Sequence, residues 1–218
     1  MKRIISLILA LVMLLALCSC GKKEEEKHYD PNFYEEYPTG EEIVTVKVRK
    51  NPHAVITLAD NSEIEIELCY DVAPNAVANF IAFANENIYD KMGFTQIKNN
   101  CIVMTDTMEG EFEPPYYVQD EVQKEEIELS HVRGTVSMIR MSKSNSLTGQ
   151  FFILTEDQTH FDKNFTAFGT VVRGLGNVDK LISVEKDEDG MLISPVGIKD
   201  VTIKTYGAEI PRPTIIIP

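Results

Sequence analysis

The sequence predicts a mainly β protein, a closed antiparallel barrel capped by two α-helices. Three observations carry this. Short apolar runs bounded by turn residues recur from residue 43 to residue 206. One of them alternates cleanly, with Ile64, Ile66 and Leu68 on one face and Glu63, Glu65 and Glu67 on the other, as a strand covered on one side requires. Helical spacing occurs at two well-separated places, which suits a barrel with helical caps.

In chain order, Ile43, Val44, Val46 and Val48 suggest an entry strand. Ala54–Leu58 and Glu63–Leu68 flank Ala59-Asp60-Asn61-Ser62, a hairpin turn by composition. Pro74–Asn85 is a helix: proline in the first turn forfeits no hydrogen bond, and Val77, Phe80, Ile81 and Ala84 form one apolar stripe. Strands are expected at Gly93–Ile97, Cys101–Met104, Gly134–Ile139, Phe151–Leu154 and Ala167–Val172. A second helix opens at Asn177 with Val178, Leu181 and Ile182 inward, and the last strand runs over Ile198–Tyr206. The chain has no detectable internal repeat.

The first residues read as targeting. Lys2 and Arg3 precede an apolar stretch from Ile4 to Leu17, too short to span a membrane, which takes roughly 20 apolar residues, and suited to a secretory leader. It ends in Leu17-Cys18-Ser19-Cys20-Gly21, which resembles a bacterial lipobox. Small Ser19 before Cys20 fits such a site and bulky Leu17 before Cys18 does not, so Cys20 is the expected lipid-attachment residue. The alternative is an ordinary secreted protein with two incidental cysteines. The expected organisation is a leader over 1–19, a charged tether over 20–41, the domain over 42–207 and a Pro/Ile tail over 208–218. The tether is rich in charge and broken by Pro31 and Pro38, so it cannot offset its ordering entropy.

Removal of Lys2 and Arg3 takes the formal charge from −13 to −15, because residues 1–19 carry no acid. So acidic a body argues against nucleic acid and against electrostatic docking on anionic lipid, leaving the anchor as the only membrane attachment. Cys69 and Cys101 read as free thiols more readily than as a disulfide, although an extracytoplasmic site would permit one. A closed barrel has no free edge to pair, so a monomer is expected. The tail's isoleucines either pack back on the barrel or meet a partner.

Several motifs fail on spacing. Gly174-Leu175-Gly176 lacks the further glycine of a dinucleotide site, and Asp187-Glu188-Asp189-Gly190 lacks the closing glutamate of a calcium loop. His28, His53, His131 and His160 have no metal-ligand spacing, and Ser137, Ser144 and Ser146 lack the glycines of a nucleophile elbow. No metal, no cofactor and no hydrolase chemistry is expected.

Four longer strings carry more. They are Leu68-Cys69-Tyr70-Asp71-Val72-Ala73-Pro74-Asn75-Ala76-Val77-Ala78-Asn79-Phe80; His131-Val132-Arg133-Gly134-Thr135-Val136-Ser137-Met138; Gly149-Gln150-Phe151-Phe152-Ile153; and Phe161-Asp162-Lys163-Asn164-Phe165-Thr166-Ala167-Phe168-Gly169. In this order and spacing they resemble the cyclophilins, a family of peptidyl-prolyl isomerases, over about residues 52 to 206. The resemblance implies an eight-stranded barrel. It also implies a groove in which Phe152, Phe161 and Met138 line a proline pocket. Gln150 would bond the substrate backbone, and Ile139 and Arg140 would sit beside the residue preceding proline. His160 falls where the family holds tryptophan or histidine, and Phe165 where it holds histidine or tyrosine. Read from spacing alone, Phe152, Phe161 and Phe165 suit plain core packing better than a pocket.

The chain departs from the family in Phe94-Thr95-Gln96-Ile97-Lys98-Asn99-Asn100-Cys101-Ile102-Val103-Met104-Thr105-Asp106-Thr107. Gln96 stands where the family's catalytic arginine is, Cys101 at its pocket phenylalanine, Met104 at its groove glutamine, and Thr105 and Asp106 at paired glycines. Arginine offers a rigid, permanently charged fork of five donors, whereas Gln96 offers one neutral amide. A glycine-rich loop is replaced by the acidic Glu109-Gly110-Glu111-Phe112-Glu113-Pro114-Pro115. Two functions follow as expectations. One is a lipid-anchored extracytoplasmic isomerase of reduced turnover, acting on proline-containing segments of exported proteins. The other is a module that binds such segments without turning them over. Lys98 or Arg140 could supply the missing charge from a neighbouring position.

Overall fold

The computed structural model describes residues 50–216 other than 111, 124 and 142–144, and the backbone of 34–39 and 42–47. The chain divides into two units, Met1–Val48 and Arg49–Pro218. In the first, β1 (Tyr34–Thr39) and β2 (Glu42–Lys47) pair as an antiparallel hairpin. β2 is the expected entry strand, while β1 lies in the stretch read as tether. The leader, Cys20 and Val48 lie outside the described residues.

The second unit holds β3 (His53–Leu58), β4 (Glu63–Leu68), α1 (Pro74–Asn85), β5 (Met92–Lys98), β6 (Ile102–Thr107), β7 (Tyr117–Val118), β8 (Thr135–Arg140), β9 (Leu147–Leu154), β10 (Thr166–Arg173), α2 (Leu175–Ile182), β11 (Met191–Lys204) and β12 (Ile215–Ile216). Its strands run β9-β6-β5-β11-β3-β4-β10-β8, and β8 pairs back with β9, closing eight antiparallel strands into a barrel. β7 joins β9 from outside through Val118 and Leu147, and β12 pairs with β7. The tail therefore folds back, with Ile215 opposite Val118.

Several element bounds differ from the sequence reading. β9 starts at Leu147, before Gly149, a residue that pattern alone assigns to a turn. β11 starts at Met191 and runs through Pro195, which a register shift between Met191 and Val196 accommodates, since proline within sheets sits at bulges and edges. α2 starts at Leu175, directly after Gly174 at φ +85°.

The core lies inside the barrel and under α1. Phe80 packs on Tyr89, Phe151 and Phe168 with centroids 4.9, 5.5 and 5.5 Å away. The expected stripe Val77, Phe80, Ile81 and Ala84 is buried. α1 has no capping side chain of its own. Glu121 supplies one from the loop after β7: its two carboxylate oxygens accept the N–H groups of Asn75 and Ala76, each at 2.8 Å. A carboxylate there satisfies orphan donors and meets the positive end of the helix dipole. The Asn75 side chain in turn accepts the Thr214 N–H at 2.6 Å, so loop and tail are both fixed at one helix end.

Packing is tight around Gly149. Its φ is +93°, and a Cβ there would lie 2.3 Å from the Phe83 ring. Its carbonyl accepts the buried Tyr89 hydroxyl at 2.8 Å. Gly149→Ala therefore combines strain with overpacking and is expected to lower stability by about 3 kcal/mol, read from the urea midpoint.

Candidate functional site

A second apolar cluster lies apart from the core. The alternation of β9 sends Phe151 and Ile153 into the barrel and leaves Phe152 and Leu154 on the opposite face. β6 aligns Met104 with Phe152 and Ile102 with Leu154. Cys101, Ile102, Phe152 and Leu154 are the buried floor, and Met104, Ile139, Phe161 and Phe165 pack around them half-buried. The rings meet edge to face: Phe152–Phe161 at 6.1 Å, Phe152–Phe165 at 5.5 Å and Phe161–Phe165 at 4.9 Å. Such pairs are worth about 0.5–1.5 kcal/mol beyond their burial. His160 adds a ring 4.3 Å from Phe161. Phe152 is only 3% exposed, being covered in part by Phe165.

Under the floor runs a buried polar chain. The His131 ring stacks on Phe152 at 6.4 Å and meets Phe161 edge-on at 6.0 Å. Its Nδ1 lies 2.9 Å from Asp162 Oδ1 and its Nε2 3.0 Å from Ser137 Oγ. A carboxylate only accepts, so Nδ1 carries the proton and Nε2 accepts from Ser137. Asp162 also accepts the His131 backbone N–H at 2.6 Å and the Ser130 hydroxyl at 2.7 Å. Burial pushes the His131 pKa down, against the pull of the Asp162 hydrogen bond. For Asp162 burial acts upward, but the hydrogen bonds from His131 and Ser130 outweigh it and hold the carboxyl below its usual range. The order Ser-His-Asp has no access to substrate, because Ser137 and His131 are fully buried. This chain positions Phe152 and Phe161.

The polar groups of the face are largely engaged. Gln96 lies opposite Met104 in register, and its Nε2 donates to the Asp189 carbonyl at 3.1 Å. Gln150 Nε2 donates to Asp106 Oδ1 at 2.6 Å, and its Oε1 accepts the Thr148 hydroxyl at 3.2 Å. Arg140 holds its guanidinium carbon 6.0 Å from the Phe165 ring centre and donates from Nε to the Asn164 carbonyl at 3.3 Å.

Of the residues singled out from sequence, Met104, Ile139, Phe152, Phe161 and Phe165 come together, with His160 and Arg140 at their margin. Gln150 lies on β9 beside them, and Gln96 faces the 187–190 loop. Met138 is a correction. It is fully buried in the barrel core, where its sulfur accepts from Asn79 at 3.7 Å, because period two puts Val136 and Met138 inward. The same alternation turns Ile139 out, just where the register shifts between Met138 and Arg140. Sequence reasoning missed the roles of His131, Ser137 and Asp162 as supports and of Asp106 as the partner of Gln150. No fixed spacing announces them, since they come from separate elements.

A family model described as "Cyclophilin type peptidyl-prolyl cis-trans isomerase/CLD" matches residues 53–203. A peptidyl-prolyl cis-trans isomerase of Acinetobacter baylyi is 30% identical over 151 residues, covering 65% of this chain and 80% of that protein. A peptidyl-prolyl cis-trans isomerase-like 3 of Gallus gallus is 32% identical over 154 residues, covering 69% and 95%. Among solved structures, a Cryptosporidium parvum cyclophilin-type isomerase in the presence of the dipeptide Ala-Pro superposes with a TM-score of 0.60. It is 23% identical, and the match covers 70% of this chain and 98% of that one. At that identity it speaks for the fold.

The buried chain has a pH signature. An unfolded histidine takes up a proton below pH 6.5, which His131 resists in the fold, so its contribution is full above 6.5 and is lost as pH falls below it. Asp162, held low, adds a further loss as pH falls below 3.8. The urea midpoint is expected to drop between about pH 7 and about pH 5. His131→Gln should flatten that drop and cost about 2 kcal/mol at neutral pH, by leaving Asp162 and Ser137 short of partners.

Proposed function

The chain belongs to the cyclophilin-type peptidyl-prolyl cis-trans isomerase family, and from that premise we propose that its aromatic face holds Xaa-Pro segments of exported proteins and isomerises them with reduced turnover. One observation carries this reading: Met104, Ile139, Phe152, Phe161 and Phe165 converge on a single apolar site outside the barrel core. Rotation about an Xaa-Pro bond faces a barrier of roughly 18–20 kcal/mol because amide resonance must be broken. The isomers differ by only about 0.5–1 kcal/mol, so a site has merely to favour the twisted amide over the planar one. It needs an apolar grip on the ring and a donor for the altered amide, with no nucleophile.

The grip is present and the donor is weak. Gln96 offers a neutral amide where the family has a guanidinium, and that amide is spent on Asp189. Loss of one such donor costs roughly 10²–10³ in rate. Lipid attachment at Cys20 would hold the protein on the outer side of a bacterial cell membrane, each buried CH₂ adding about 0.8 kcal/mol. A second reading, a module that binds without turnover, is favoured by the same engagement of Gln96 and by that of Gln150 with Asp106.

Two measurements test this. With an Ala-Pro reporter peptide the chain should bind and turn over slowly, and Gln96→Arg should raise kcat/KM by at least about ten-fold. Binding without catalysis in either protein would favour the module, and no binding at all would sink both readings. Separately, Cys20→Ala should move the protein from the membrane to the soluble fraction of an expressing bacterium, and continued membrane retention would remove the lipid anchor from the account.

A further inference from the structure

Beside the aromatic face lies a polar cleft of about 420 Å³ whose lining includes Arg140, Lys163, Asn164, Asp120 and Asn145. Asn164 precedes Phe165 in the chain, and the Arg140 guanidinium lies over the Phe165 ring, so cleft and face are continuous. Its far wall is built rather than incidental. The Asn145 N–H donates to Asp120 Oδ2 at 3.0 Å, and the Asp120 N–H donates to Asn145 Oδ1 at 3.3 Å.

The charges in this cleft run against those of the chain. The whole sequence carries −13, yet the lining holds two cations and one acid. Asp120 is that acid, with Oδ2 given to Asn145 and Oδ1 shut away from solvent. Among the described residues, Arg140 makes only its Nε bond to the Asn164 carbonyl, and neither Arg140 nor Lys163 forms an ion pair. The arginines that pair elsewhere, Arg133 and Arg173, each meet a carboxylate at 3.0 Å or less. Two cations left open in one cleft of an acidic protein are suited to a carboxylate that arrives with a ligand, and the fork of Arg140 matches carboxylate geometry.

We propose that this cleft is a subsite for an acidic side chain flanking the proline of a bound peptide, with Arg140 and Lys163 as its partners. The inference rests on the peptide reading above and adds a selectivity to it. It also opposes the default, because a protein of this net charge repels acidic peptides at long range and would favour basic ones.

The test is the affinity of labelled Ala-Pro peptides that carry Glu, Ala or Lys two residues before or two after the proline, at low salt. A Glu peptide should bind about five-fold more tightly than its Lys counterpart at one of the two positions, with the gap narrowing as salt rises. Lys163→Gln and Arg140→Gln should each shrink that ratio; Lys163 is exposed, so its replacement leaves the fold intact. Equal binding, or preference for Lys, would overturn the proposal, as would a Glu preference that neither variant changes. A matched set with alanine in place of proline separates the two readings. If those bind as well and still depend on Lys163, the cleft stands and the proline reading falls. If neither the proline nor the alanine set binds, both fall.

Discussion

The pairing of β8 with β9 is the contact from which the rest follows. It joins two consecutive strands, completes the ring of strands that makes the sheet a barrel, and sets Ser137 opposite Phe152 and Met138 opposite Phe151. One register therefore decides two things at once. Phe151 and Met138 enter the core, while Phe152 takes its place on the outer face with His131 stacked against it. A slip by one residue would exchange the two faces, putting the pocket floor into the core and emptying the site. The Ser137–His131–Asp162 chain secures that register by hydrogen bonding, and it ties the strand pair to the segment that bears Phe161 and Phe165.

What the sequence made legible was whatever rests on short periods. The alternation of Ile64, Ile66 and Leu68 against three glutamates and the stripe of α1 both appear where expected. The aromatic residues that cluster on the outer face were also named, through longer strings that resemble one family. Bulges were not legible. The shift between Met138 and Arg140 is one of them, and nothing in Ser-Met-Ile-Arg announces it. The shift near Pro195 hides the first half of β11 in the same way. The polar supports were harder still, since a hydrogen bond between residues 131 and 162 leaves no local trace. His131 and Ser137 fail every motif test because their task is to hold rings in place.

The loop after β7 is fixed by the helix whose end it caps. It is acidic, and Glu121 stands against the two N–H groups that open α1. Burial raises the pKa of Glu121 and the backbone N–H bonds oppose it, which marks a carboxylate kept for its fit rather than for comfort in solvent. Since Asn75 at the same helix end also holds Thr214, the loop and the tail share one anchor. The tail strand β12 then rests on β7, so both additions to the barrel are stabilised from α1 rather than from each other alone.

The changes on the outer face have a common direction. Met104, at the family's glutamine position, and Phe165, at its histidine or tyrosine position, put apolar surface where the resemblance places polar groups. Apolar contact grips a proline ring equally whether the amide is planar or twisted, so it lowers the energy of bound substrate and transition state together. Donors discriminate between the two states, and here Gln96 is neutral and turned to Asp189 while Gln150 is held by Asp106. On the proposed reading, binding free energy would lie in interactions made throughout rather than in those made only in the transition state. Such a shift lowers KM and kcat together. For a protein proposed to act by retaining a segment long enough for it to fold, that exchange would not be a defect: residence would grow with the grip, and turnover would fall for the same physical reason.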